Sequence, residues 1–224
     1  MHKIACVVNQ RARSQADKAE RTEDLLAAAE SLAIELGGVR HLTLEPITDR
    51  AGIHRTGVRR YFDSKEELLL ELAERGWKQW RAGVDARLEG RSDLAATEVA
   101  DVLAESLAAL PVFVDVFTLV NLSLEGDVSL ERARQYKTNS FIEHDAIVAA
   151  LAYKSEMTTA QIENLVPAVA TFAAFFWHIS HPTPSLAELY EQEPAWAHIV
   201  YDFEPRLKLL SRSTALGLMQ TQPF

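Results

Sequence analysis

Apolar residues recur at helical rather than alternating spacing along almost the whole chain. Thr22 is suited to cap a first helix, and Gly37-Gly38 is suited to end it. No Asn-Gly or Asp-Gly turn separates runs of β-branched residues, so hairpins are not indicated. The pattern predicts an all-α fold whose first helix spans 22–36, with one apolar face made of Leu25, Ala29, Leu32, Ala33 and Leu36.

Two short helices follow, separated by Gly52. The first opens at Thr43, and the second spans about 54–61. Ser64-Lys65-Glu66-Glu67 then forms a capping box, which predicts that a long helix starts at Lys65 and extends to about Leu88. Further helices are predicted at about 93–110, 112–124, 129–153, 159–180 and 186–212.

Composition indicates a globular chain with a real core. Of 224 residues, 48% are hydrophobic and 25% are charged. The apolar stretch 169–177 is too short to cross a bilayer, and the start lacks the apolar core of a signal peptide, so we expect a cytoplasmic protein with no membrane partner. The single cysteine, Cys6, excludes a disulfide framework.

Charge is distributed unevenly. Residues 1–65 hold 11 Lys and Arg against 9 Asp and Glu, a balance of +2, whereas residues 66–224 hold 12 against 23, a balance of −11. Such asymmetry suits a protein that docks one end on phosphate. We therefore divide the chain into a flexible basic arm (1–21), a small head (22–66) and an acidic body (67–224).

The segment 42–65, LTLEPITDRAGIHRTGVRRYFDSK, carries the functional signal. Two short helices joined by Ala-Gly-Ile, the second rich in arginine, are what a helix-turn-helix requires. The segment resembles the DNA-binding signature of the TetR family in Ile47, Ala51-Gly52, Ile53, Val58, Tyr61-Phe62 and Ser64-Lys65-Glu66-Glu67. The resemblance is strong over about 22–75 and implies a three-helix DNA-binding head on a larger helical body for ligand binding and dimerisation.

The resemblance also assigns roles. Arg55, Thr56 and Gly57 correspond to contacts with base edges, whereas Lys65 corresponds to a phosphate contact at a helix N-terminus. Arg59 and Arg60 stand where the family often has tyrosine and histidine. The added charges predict that DNA binding is more sensitive to salt. The full set of candidate DNA contacts is Thr43, His54, Arg55, Thr56, Gly57, Arg59, Arg60, Tyr61 and Lys65.

The segment departs from the family at two positions. His54 replaces the Ser or Thr that usually caps the recognition helix, so we expect a looser N-terminus there. Gly57 costs about 1 kcal/mol relative to alanine inside a helix. In the preceding arm, Lys3, Arg11, Arg13, Lys18 and Arg21 either reach into the minor groove or have no role in DNA binding.

The resemblance implies a homodimer that reads double-stranded palindromic operator DNA with recognition helices roughly 34 Å apart. Residues 161–180 and the last helix are the candidate dimer helices, through Val166, Val169, Phe172, Ala173, Phe176, Trp177, Phe203, Leu207, Leu209 and Leu210. The resemblance also implies that the protein represses transcription and that repression ends when a small effector binds the body. Candidate pocket residues, which suit a hydrophobic effector, are Phe113, Phe117, Asn121, Phe141, His144, Phe175 and Trp177.

Three other readings stay open. His144, His178 and His181 suit a metal-responsive regulator, and with Asp145 a helical metal-dependent enzyme. The third reading is a helical adaptor whose basic end binds an acidic protein. The chain has no nucleophile elbow, phosphate loop or His-Glu-x-x-His helix, so we expect no enzyme, no metal site and no cofactor.

Overall fold

The computed structural model describes the backbone of residues 2–221 and the side chains of residues 17–221 other than 55, 121 and 197. This part of the chain has no β-strand, only an isolated bridge between Leu94 and Ser155. The predicted all-α fold is confirmed. Its helices are α1 (His2–Leu36), α2 (Leu44–Arg50), α3 (Lys65–Leu88), α4 (Ala96–Ala108), α5 (Pro111–Leu119), α6 (Leu130–Lys154), α7 (Thr159–Ser180), α8 (Pro184–Gln192) and α9 (Phe203–Gln220).

The chain divides into two compact units, Met1–Leu72 and Ala73–Phe224, and the division falls within α3. In the first unit α1 packs against α2. The core of this unit is formed by the buried face of α1 and by apolar residues that follow α1 in the sequence. Its completely buried members include Leu25, Ala29, Val39, Leu42 and Ile47.

An ion pair on the surface of the first unit also joins α1 to α2. Arg50 of α2 donates from both terminal nitrogens to the two carboxylate oxygens of Glu35, at 2.5 and 2.7 Å. The hydrogen bonds from Arg50 lower the pKa of Glu35. Because both groups are exposed, the pair contributes mainly to the orientation of the two helices.

Two helix boundaries differ from the sequence-based predictions. Helix α1 begins at His2, not near residue 22, because residues 2–21 contain neither Gly nor Pro and are rich in good helix formers. The predicted helix 186–212 is wrong, since α8 ends at Gln192 and α9 begins at Phe203. Pro194 lacks a backbone donor and disfavours helical geometry at Glu193, which explains the break.

The core of the second unit lies among α4, α7 and α9, which pack against one another. Helix α7 contributes the buried Ile162, Leu165 and Val169, and α9 contributes Leu207 and Ala215. Among the described helices, α7 is the one that, taken singly, is long and apolar enough to span a membrane. Its buried residues account for that composition, because they form the centre of this unit.

Candidate DNA-binding and effector sites

A tight turn at Gly52 joins the two short helices of the first unit. Gly52 has φ +65°, and the Ile53 N–H reaches back to the Thr48 carbonyl at 2.9 Å. This is the glycine-terminated helix end in which the following N–H satisfies a free carbonyl. The turn therefore fixes the direction in which the chain leaves α2.

The segment after the turn, Arg55–Arg60, forms a 3₁₀ helix that we call the recognition segment. The Gly57 N–H donates to the His54 carbonyl at 2.7 Å, which is the short hydrogen-bond spacing of a 3₁₀ turn. A six-residue helix with glycine inside it lacks the length that favours α geometry. Buried Val58, followed by buried Phe62, attaches the segment to the core.

The structure leaves the candidate DNA contacts accessible. Thr43, Thr56, Arg59 and Arg60 are exposed, and so is His54. Three more of these residues, Gly57, Tyr61 and Lys65, are half-buried. The side chain of Arg55 lies outside the described residues, as do those of Lys3, Arg11 and Arg13 in the arm. A surface bearing two exposed arginines beside small polar groups has the chemistry needed to contact phosphates and base edges.

His54 caps the recognition segment in place of the family's Ser or Thr. Its ring Nδ1 accepts from the Thr56 N–H at 3.4 Å and lies 2.9 Å from the Thr56 hydroxyl oxygen. An imidazole nitrogen therefore supplies the acceptor that a hydroxyl would supply, and the looser N-terminus expected from the replacement stays a prediction. By contrast, Thr43 makes no side-chain capping bond at the start of α2.

The predicted capping box is present at the start of α3 in modified form. The Glu67 N–H donates to the Ser64 hydroxyl at 3.2 Å, and the Glu67 carboxylate accepts from the Asp63 N–H at 2.9 Å, one residue before the cap. Beside it, the Lys65 ammonium lies 3.4 Å from the Arg40 carbonyl. An ammonium has three donors, so this contact leaves Lys65 able to bind phosphate.

Four of the predicted effector residues come together around Trp77 of α3. The Trp77 ring centroid lies 5.6 Å from that of Phe113, 5.7 Å from Phe117 and 6.3 Å from His144. Phe141 adjoins His144, also at 6.3 Å, and is more than half exposed. We call these five residues the aromatic cluster. It brings α3, α5 and α6 into contact in the second unit.

Buried polar groups border the aromatic cluster. Glu74 is 4% exposed and accepts from Arg132 at 2.5 Å and from Asn139 at 2.9 Å. The Trp77 indole N–H donates to the Tyr136 hydroxyl at 3.2 Å. Burial raises the pKa of Tyr136 to about 12. These bonds tie α3 to α6 on the side of α3 that carries Trp77.

The remaining predicted effector residues lie on α7 and in the turn that follows α5. Phe175 is 64% exposed, and Trp177 stacks on His181 with centroids 3.6 Å apart. Asn121 lies in a π-helical turn, Val120–Leu124, and its side chain is outside those described. Such turns occur often at functional sites, and this one directly follows α5, which carries Phe113 and Phe117.

The three histidines of the metal hypothesis have separate partners. His144 bonds Asp145 at 3.0 Å, while His178 lies 3.2 Å from the Thr118 hydroxyl and 3.6 Å from the buried Asp115 carboxylate. Among the side chains that the structure describes, no three His, Cys, Asp or Glu residues are grouped to hold an ion. Neither metal hypothesis gains support from this arrangement.

Sequence reasoning missed the residues that organise the effector region. Trp77, Glu74 and Tyr136 were not among the candidate residues. The available signal was Gly76 next to Trp77, because a glycine inside a long helix indicates the close approach of another group. A β-carbon at Gly76 would lie 2.1 Å from the Phe113 ring, which is the close approach in question.

Two family models match the chain. The model for bacterial regulatory proteins of the tetR family matches residues 25–72. The model described as the tetracyclin repressor-like C-terminal domain matches residues 74–222. No curated protein matches the sequence.

Proposed function

Because the chain belongs to the TetR family, and so is a DNA-binding transcriptional regulator with a helix-turn-helix, we propose that it is a repressor. It binds a palindromic operator as a homodimer and leaves it when a small hydrophobic effector binds the second unit. The observation that carries this proposal is the recognition segment itself, an exposed arginine-bearing helix fixed by the turn at Gly52. A protein with that role works in the cytoplasm without catalysis.

Within the recognition segment, the residues divide into two groups by role. Arg55, Thr56 and Gly57, in its first half, read base edges. Arg59 and Arg60, with Lys65 and Thr43, contact phosphates and set the register on the duplex. His54 and Tyr61 border this surface. The exposure of Thr43, Thr56, Arg59 and Arg60 supports their access to DNA.

The effector site that we propose is the aromatic cluster. Its aromatic groups come from three helices, and one of them, α3, begins within the helix-turn-helix match and extends into the second unit. An apolar effector that displaces a ring of the cluster therefore changes the packing of α3. Operator affinity falls because the effector binds the DNA-free arrangement more tightly.

Exposed apolar side chains on α7 and α9 support the dimer. Of the residues expected at the interface, Val166, Val169, Ala173, Phe176 and Leu207 are buried within the single chain and so are unavailable to a second copy. The side chains that remain accessible on these two helices include Phe175, Leu209, Leu216 and Met219. We propose that these residues form the contact between two copies of the chain.

Selection of bound fragments from genomic DNA tests the proposal. We expect the purified protein to enrich a small set of fragments that share a two-fold symmetric sequence, with at least about 10³-fold preference over random duplex. Equal enrichment of all fragments would favour the adaptor hypothesis, which predicts binding to any polyanion.

Contacts with DNA phosphates are tested separately, through the salt dependence of binding. Lys65→Ala is expected to weaken binding to every sequence about equally and to lower the slope of log affinity against log salt by about one unit. Lys137→Ala, which removes an exposed lysine of the second unit, is the matched control and leaves the slope unchanged. An unchanged slope for Lys65→Ala would remove Lys65 from the phosphate contacts.

A further inference from the structure

His54 makes three contacts with the first turn of the recognition segment. Its carbonyl accepts from the Gly57 N–H at 2.7 Å. Its ring Nδ1 faces two groups of the same residue, the Thr56 N–H at 3.4 Å and the Thr56 hydroxyl oxygen at 2.9 Å. Both side chains are exposed, so this contact lies on the surface that we assign to DNA.

The direction of the Thr56 N–H determines where the hydrogens lie. A backbone N–H always donates, so the ring nitrogen that it faces must present a lone pair. In this arrangement Nδ1 therefore accepts, and the ring hydrogen lies on Nε2. The hydrogen in the 2.9 Å contact must then come from the Thr56 hydroxyl. Thr56 donates to His54, and its oxygen keeps two free lone pairs.

Because Thr56 donates its one hydroxyl hydrogen to His54, its hydroxyl can act toward DNA only as an acceptor. Phosphate oxygens are acceptors too, so they make poor partners for it. In the major groove, adenine and cytosine present exocyclic amino donors, whereas guanine and thymine present carbonyl acceptors at the corresponding edge. The hydroxyl of Thr56 is therefore matched to an amino-bearing base.

We propose that His54 is a positioning residue that holds the Thr56 hydroxyl as an acceptor, and that Thr56 thereby selects adenine or cytosine at one position of each operator half-site. This inference rests on the proposed function, because it concerns the same DNA surface. It adds a specificity rule that no resemblance supplies, since the family residue at position 54 is a Ser or Thr and not an imidazole.

The test measures binding of wild type and variants to the selected operator with each base pair replaced in turn. We expect wild type to accept both A·T and C·G at one position per half-site, with A or C on the same strand, and to bind T·A and G·C there about tenfold more weakly. Thr56→Val, which keeps the shape but lacks the hydroxyl, is expected to reduce that preference to less than about twofold. His54→Ala frees the hydroxyl to donate and is expected to reduce the preference in the same way.

A conservative variant of His54 distinguishes a role in positioning Thr56 from a role in folding of the segment. The amide oxygen of His54→Asn can cap the segment and accept from Thr56, so this variant is expected to keep the preference. The matched controls are Thr22→Val and His41→Ala, which alter a threonine and a histidine of the same unit outside the recognition segment. Both are expected to match wild type at every base pair.

The outcomes are distinct. If wild type shows no sequence preference at all, the proposed function and this inference fail together. If wild type reads an operator but Thr56→Val relaxes no position, or relaxes one that separates purine from pyrimidine or A·T pairs from G·C pairs, only the inference is overturned. A His54→Ala protein that keeps the full preference also overturns it. If His54→Ala does not fold, as judged by its helical circular dichroism, Thr56→Val and His54→Asn decide the matter.

Discussion

At the scale of single residues, backbone conformation at Gly52 controls the helix-turn-helix. Its φ of +65° lies in the left-handed region, and open space surrounds the position where a β-carbon would stand. A side chain there would meet no steric barrier from neighbours, so any cost of substitution comes from the backbone alone. The proposed pairing of His54 with Thr56 acts at the same scale, since it directs the Thr56 hydroxyl hydrogen to the ring and leaves the oxygen lone pairs for DNA.

Gly52→Ala is expected to lower the free energy of unfolding of the first unit by about 1 kcal/mol, because alanine is strained at a left-handed φ. Denaturant unfolding followed by circular dichroism measures the change. Gly217→Ala is the matched control, since it also adds a methyl group into open space but lies in α9 at an ordinary φ. It is expected to be neutral or stabilising. Equal losses for the two variants would contradict the backbone explanation.

At the scale of elements, α3 is held by α5 on one side and by α6 on another. Gly76 allows the Phe113 ring of α5 to pack onto the backbone of α3. Glu74 and Trp77 bond to side chains of α6. Because α3 is closely packed against both helices, a change in the aromatic cluster is transmitted to the position of α3.

Gly76→Ala is expected to destabilise the protein by about 1–3 kcal/mol, because the new methyl group overlaps the Phe113 ring. Gly83→Ala, on the same helix, meets its nearest atoms at an ordinary 3.5 Å and serves as the control. A double-mutant cycle with Phe113→Leu measures the coupling between the two positions. Additive effects in that cycle would show that the close contact is not the cause.

Tyr136→Phe removes the acceptor of the buried Trp77 N–H and is expected to cost about 1–3 kcal/mol of unfolding free energy. An unfolded tyrosine loses its proton near pH 10 and folded Tyr136 near pH 12, so the folded state holds more protons between them. Wild-type stability therefore falls as the pH rises through that window.

Unfolding free energies measured across pH 9 to about 12.5 test this expectation. The phenylalanine variant cannot ionise, so its alkaline loss should be smaller than that of wild type. Tyr153→Phe is the control, because Tyr153 is 85% exposed and its hydroxyl is open to solvent. If both variants lose stability with the same alkaline slope as wild type, burial of Tyr136 is not what couples stability to pH.

At the scale of the whole molecule, the proposed function requires two copies of the chain. A palindromic site offers two half-sites, and a dimer binds both with one contact surface repeated by symmetry. In a single copy, the accessible apolar residues of α7 and α9 include Phe175 and Leu209, which are 64% and 55% exposed.

Phe175→Glu is expected to convert the dimer to a monomer, because a carboxylate cannot be buried unpaired in an apolar contact. Sedimentation measures the mass, and operator affinity is expected to fall about a hundredfold, since linkage of the half-sites is lost. Tyr153→Glu changes an aromatic residue that is even more exposed but lies on α6, and it should leave both properties unchanged. A Phe175→Glu protein that remains dimeric would place the interface elsewhere.

The sequence by itself determined the class of fold, the helix-turn-helix and the family. Helical periodicity, the glycine after Ala51 and the capping box are local signals, and local backbone preferences act without the rest of the chain. For the same reason α7 was predicted with its observed bounds, Thr159–Ser180. The break between α8 and α9 had a local signal too, in Pro194, although the apolar pattern concealed it.

Only the tertiary structure decided which side chains meet. It joined Phe113, Phe117 and His144 to Trp77, left Phe175 on the surface and buried Val166 within one chain. It also showed that an imidazole caps the recognition segment. Periodicity places a residue on a helix face but cannot say which face another helix covers, because that depends on packing between elements distant in sequence.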